Sequence, residues 1–189
     1  DGPRAPTTLE DELRVEGEDV FCGDPNFLSI YSPDADREAL VRGLGRDYEI
    51  LRGGIKYWSA GGPIQAPLHV LHDLITQHGI RAGDVEKLVV RMPDEDLRSV
   101  DNRDMSDISA QHLLAVMLLD GTVTFKTAHD HARIKDPRVH DLRRNRIEVT
   151  GDGSPPDAVR CWRCAMEITL KDGRRLSHQT AAAKGTYQN

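Results

Sequence analysis

Residues 162–180 read Trp-Arg-Cys-Ala-Met-Glu-Ile-Thr-Leu-Lys-Asp-Gly-Arg-Arg-Leu-Ser-His-Gln-Thr, and their period decides the fold. Trp162, Cys164, Met166, Ile168 and Leu170 alternate with Arg163, Ala165, Glu167, Thr169 and Lys171. In a strand this puts the first set on a core face and the second on the opposite face. Asp172-Gly173 is a strong two-residue turn signal, because the favoured hairpin turns need positive φ. Arg175 to Thr180 then returns as the partner strand.

Upstream of the hairpin the period changes. Ile147 to Thr150 reads as a strand, and Pro137 to Arg144 as a short helix with Asp136 as cap and a first-position proline. Ile108 to Leu119 is apolar almost all round, with Ser106 or Asp107 as cap and Gly121 beyond its end, which predicts a buried helix. Val85 to Met92 follows a Gly83-Asp84 turn, and its Leu88-Val89-Val90 run predicts a strand buried on both faces. From Pro63 to His78, Ile64, Leu68, Leu71, Ile75 and His78 recur at helical spacing, with Gln65, His69, His72, Asp73 and Thr76 turned away and Gly79 as the stop. Tyr48 to Trp58 reads as extended, broken at Gly53-Gly54. Asp34 or Asp36 can cap a short helix through Leu44, ended by Gly45. Together these give an α+β chain in two layers, a sheet with helices packed on one face and a C-terminal antiparallel hairpin.

Composition excludes several function classes. The chain has 189 residues, 38% hydrophobic and 30% charged, with a formal net charge of −6 and interspersed signs, so a concentrated basic surface for nucleic acid is not expected. No apolar run approaches the ~20 residues of a membrane span, and residues 1–8 lack the basic and apolar regions of a signal peptide. Three cysteines, Cys22, Cys161 and Cys164, do not make a disulfide framework and read as reduced thiols. A cytoplasmic protein is expected.

The chemistry concentrates where Ile55-Lys56-Tyr57-Trp58 meets Gly61-Gly62-Pro63. Backbone amides at a helix start, with the positive end of its dipole, favour a carboxylate or phosphate, and Lys56 adds a full charge. His112 lies inside the apolar helix, where it must find a partner or line a cavity. Arg103, in the loop before that helix, offers a planar fork suited to a second carboxylate contact. His129-Asp130-His131 lacks ligand spacing for zinc, and no metal site is expected. Cys161-Trp162-Arg163-Cys164 falls within a strand, which would point its two sulfurs to opposite faces.

The order of these segments resembles one family. Ile50-Leu51-Arg52-Gly53-Gly54-Ile55-Lys56-Tyr57, the helix from Pro63, the Val85 to Arg91 strand, Ala115-Val116-Met117-Leu118-Leu119-Asp120-Gly121, Ile168 to Arg174 and Ala183-Lys184-Gly185-Thr186 follow the order and spacing of the MmgE/PrpD family. The resemblance implies the smaller, lid-like α+β domain over residues 35–183, with 1–34 leading in from a helical domain and 184–189 leading out. It also implies a cofactor-independent lyase acting on a small di- or tricarboxylate, like 2-methylcitrate dehydratase. Epimerisation, decarboxylation and a non-catalytic lid are the alternatives. The active site would need the helical domain, and the assembly would be a homodimer without nucleic-acid or membrane partners. By resemblance, Lys56 matches the active-site lysine and His112 the position of an aromatic hydroxyl. Gln65 stands where some members carry histidine, so substrate contacts are expected from Gly61, Gly62, Gln65 and Arg103.

Overall fold

The computed structural model describes residues 26–32, 34–155 and 162–189. Its two compact units meet in sequence between Glu49 and Ile50. In the first, helix α1 (Phe27–Tyr31) is a single turn capped reciprocally by Asn26 and Ser29. Asp36 then caps a turn of 3-10 helix, Arg37–Leu40, where the sequence predicts a longer α-helix. Leu40, Val41 and Leu44 are all more than half exposed. Short helices need a buried apolar face to propagate, and this one has none to bury.

The second unit holds a four-stranded sheet in the order β2-β1-β3-β4. Its strands are β1 (Val85–Met92), β2 (Ile147–Gly151), β3 (Cys164–Leu170) and β4 (Arg175–Thr180). The β3–β4 hairpin turns at Gly173, whose φ of +87° needs no Cβ, while the Asp172 carboxylate accepts from the Arg174 amide. β1 pairs antiparallel with β3 and parallel with β2. A parallel neighbour requires a crossover, which the intervening helices supply.

Those helices are α2 (Gln65–His78) before the sheet, then α3 (Asp94–Val100), α4 (Ala110–Asp120), α5 (Phe125–Ala128) and α6 (Pro137–Asp141). A π-turn, Leu142–Arg146, carries α6 into β2. α4 is apolar all round because it packs against α2, β2 and α6 at once. Leu113, Leu114 and Met117 are wholly buried there, and Leu68 and Leu71 of α2 meet the same core. Gly79 (φ +64°) and Gly121 (φ +78°) end α2 and α4 in left-handed caps.

Burial of β1 on both faces is not what the sheet has. Leu88 and Val90 are fully buried opposite Ile168 and Met166, but Val89, paired with Glu148 and Glu167, is only half-buried on an open face. One layer of helices covers one face. The expected extended segment Tyr48 to Trp58 is also replaced, by a 3-10 turn (Glu49–Arg52) and an irregular strap over 53–60. β-branched and aromatic residues form strands only beside a partner strand, and none lies alongside among the described residues. Cys164 is buried, and burial pushes its thiol well above the usual range. The Cys161 reading lies outside the described residues.

α2 and β4 meet at an acidic residue ringed by imidazoles. Asp73 Oδ2 is 3.2 Å from His69 Nε2 and 3.5 Å from His178 Nε2, and Oδ1 is 3.8 Å from His72 Nδ1. Burial lowers the His69 pKa, partly offset by Asp73. Among the described residues no helix is long and apolar enough to cross a membrane.

Candidate functional site

Lys56 lies midway along the strap, and the strap is held at both ends. The Ile55 amide donates to the Gly185 carbonyl at 2.8 Å. Three residues on, the Gln65 side chain accepts from the Trp58 amide at 3.1 Å and donates to the Trp58 carbonyl at 2.9 Å and the Ala60 carbonyl at 3.3 Å. Gln65 is fully buried, so the amide expected to turn outward toward substrate is turned onto backbone instead. A buried amide must be satisfied, and the strap supplies its partners.

The glycine turn is also internally engaged. The Gly61 amide donates to the Asp107 carbonyl at 2.8 Å, and a 3-10 turn, Gly62–Ile64, runs straight into α2. Gly62 lies against the Trp162 indole, where a Cβ would overlap the ring. Glycine is required here by packing rather than by backbone angle.

Beside this turn is a hollow of about 340 Å³ lined by Lys56, Ser59, Gly61, Asp107, Phe125 and His129 among others. The Lys56 side chain is exposed, and among the described residues its amine has neither an ion pair nor a hydrogen bond. His129 stacks on Phe125 with ring centroids 4.3 Å apart, and its Nδ1 is 2.8 Å from the Phe125 carbonyl. A carbonyl can only accept, so Nδ1 carries the hydrogen and the neutral ring keeps its lone pair on Nε2. That nitrogen is 4.0 Å from Asp107 Oδ2. Neither His129 nor Asp107 stands out in the sequence as a partner of Lys56, because only the fold brings positions 56, 107 and 129 together. The nearest signal was the His129-Asp130-His131 run, whose members diverge: His131 Nδ1 pairs with Ser106 Oγ at 3.1 Å.

His112 is elsewhere. It does not line the Lys56 hollow, it is completely enclosed in α4, and among the described residues neither ring nitrogen has a hydrogen-bond partner. Burial, reinforced by the positive charges of Arg143 and Arg133, lowers its pKa to about 4. It is therefore neutral at pH 7, fit to donate or accept a hydrogen bond rather than to deliver a proton. Arg103 is also outside the hollow: its guanidinium donates to the Ser99 and Arg98 carbonyls at 3.1 and 2.6 Å, closing the C-terminal end of α3.

A larger hollow of about 660 Å³ lies along β2 and the π-turn. Along it Lys87 pairs with Glu148 at 2.7 Å, and Arg143 donates to Asn102 Oδ1 and the Arg103 carbonyl. The smaller hollow is the candidate site because it brings Lys56, Asp107 and His129 together beside the glycine turn. Among the described residues no three His, Cys, Asp or Glu side chains are grouped to hold a metal ion.

No curated protein matches the chain. The MmgE/PrpD C-terminal domain matches it over residues 58–189, from two residues beyond Lys56 through the whole sheet and every helix of the crossover. With most of its length matched in this way, the chain belongs to the MmgE/PrpD family and carries that family's C-terminal domain.

Proposed function

We propose that this chain is the smaller part of a cofactor-independent lyase that removes water from a small di- or tricarboxylate, its active site completed by a helical domain. Family membership supports the reaction class. The observation that carries the reading is one hollow shared by an unneutralised lysine amine and an imidazole whose lone pair is fixed on Nε2.

In this reading Lys56 holds one substrate carboxylate by a charge-assisted hydrogen bond. As the carbon next to that carboxylate loses its proton, negative charge spreads onto the carboxylate oxygens, and the ammonium stabilises it. His129 Nε2 takes the proton, and Asp107 favours the resulting imidazolium. The electron pair forms the carbon–carbon double bond, and the hydroxyl on the neighbouring carbon leaves as water with a proton supplied by the helical domain. His112 serves as a neutral polar group. With this reading go cytoplasmic residence and pairing into a homodimer.

The test combines the chain with its helical domain and follows the ultraviolet absorbance of an unsaturated acid over a series of citrate-type substrates. Lys56→Ala and His129→Asn each lower kcat/KM by roughly 10²–10⁴-fold. No absorbance change with any member of the series, or two variants as fast as the unaltered enzyme, removes the proposal. Proton exchange in heavy water without a double bond would mark epimerisation instead, and carbon dioxide release would mark decarboxylation.

A further inference from the structure

The Lys56 strap has almost no regular structure to fix it: it belongs to neither helix nor strand, and Ile55 and Tyr57 are largely exposed. A lysine on such a segment would sample many positions, and each lost rotamer weakens any contact it makes. Yet the backbone is fastened one residue before Lys56 and two residues after it.

The fastening ahead of Lys56 is the Gly185 carbonyl, which accepts from the Ile55 amide. Gly185 sits at φ +91°, and any Cβ there would collide with the Ile55 carbonyl, so the close approach depends on glycine. Lys184 Nζ lies 4.4 Å over the Tyr57 ring, adding a cation–π contact from the same turn. The fastening after Lys56 is Gln65. Its carboxamide spans the Trp58 amide and carbonyl as a second strand would, and reaches the Ala60 carbonyl besides. Only a side chain with both an acceptor and two N–H donors meets all three backbone groups. Leucine would meet none, and an ionised glutamate would set a negative charge against two carbonyls. A protonated glutamic acid restores the acceptor and one donor.

We infer that Gln65 is a positioning residue for Lys56: its carboxamide, together with the Gly185 turn, holds the strap so that the lysine amine stays at the hollow it shares with His129. The inference rests on the reading of Lys56 as the carboxylate-holding group. It assigns to Gln65 an indirect role in place of direct substrate contact.

The experiment uses the 189-residue chain with its lysine side chains carrying ¹³C-methyl labels, observed by NMR, with citrate as probe. The samples are the unaltered chain, Lys56→Ala, Gln65→Leu and Gln65→Glu, the first also assigning the Lys56 signal by its loss. The unaltered chain shows a Lys56 signal displaced by the rings of Trp58, Phe125 and His129 that line the same hollow, and a Trp58 amide protected from hydrogen exchange. In Gln65→Leu the signal moves to the solvated position, Trp58 protection is lost, and citrate affinity falls about tenfold. Gln65→Glu keeps the unaltered signal in acid, where its carboxyl is protonated, and behaves as Gln65→Leu at higher pH. That rescue separates positioning from a general loss of fold. A Lys56 signal unmoved by Gln65→Leu or by ionised Gln65→Glu overturns the inference, whatever citrate does. The citrate measurements are made with the helical domain added, and citrate that binds there equally with the unaltered chain and with Lys56→Ala overturns the catalytic reading of Lys56 and leaves the outcome for Gln65 to be read from the lysine signal alone.

Discussion

A wholly buried imidazole whose nitrogens find no partner among the described residues, as at His112, makes the fold sensitive to acid. Burial and two nearby arginines lower its pKa to about 4, whereas in the unfolded chain it returns to the ordinary value of 6.5. Between those values the unfolded chain binds the proton and the folded chain does not, so stability falls as pH drops from about 6.5 to about 4 and changes little below that. The whole interval corresponds to roughly 3 kcal/mol. Urea unfolding of the unaltered chain at pH 7 and pH 4 should show this loss, and His112→Leu should remove that component of it. A His112→Leu profile with the same pH slope would mean that other groups carry the effect. Gln65 shows the limit of reading at this scale. Helical spacing put it on the polar side of α2, but burial is decided by partners, and its partners are the backbone of residues 58 and 60. His129 was visible as a residue and invisible as a neighbour of Lys56.

Elements were legible where one local period sufficed. The alternation from Cys164 to Leu170 and the Asp172-Gly173 turn gave β3 and β4 almost to the residue, and the apolar run around Leu113 gave α4. α3 went unread although Pro93 is followed by Asp94, Glu95 and Asp96, the acidic first turn that suits a helix start. It is short and mostly polar, so it offers little hydrophobic period. Tyr48 to Trp58 failed for the opposite reason, since strand-favouring residues are not a strand without a partner. α4 also shows what element-level packing costs to disturb. Leu113 has no exposed surface, and Leu113→Ala should lose about 2–5 kcal/mol, by transfer of the side chain and by the cavity left between α4 and its neighbours. Chemical denaturation at neutral pH checks it, and a loss under about 1 kcal/mol would mean that the neighbours collapse into the space.

At the scale of the whole molecule, the proposed function makes this chain one side of a cleft. Its candidate hollow supplies an amine, an imidazole and a carboxylate, and in the proposed reaction the proton for the departing hydroxyl comes from the helical domain. Groups that act as a set lose far more than their separate shares when one is removed. The chain by itself should therefore turn over citrate-type substrates at least about 10³-fold more slowly than when combined with its helical domain. Comparable rates alone and combined would show that the chain holds the complete machinery.

The ring of imidazoles around Asp73 has a consequence at this scale. It joins the helical layer to the sheet through α2 and β4, and with all three rings neutral it bears the single negative charge of Asp73. Burial holds the pKa of His69 below its ordinary value, with Lys184 and the two neighbouring imidazoles acting in the same direction and Asp73 opposing them. The unfolded chain therefore takes up that proton more readily than the folded one, so acidification draws on the seam between α2 and β4 where His69 is held.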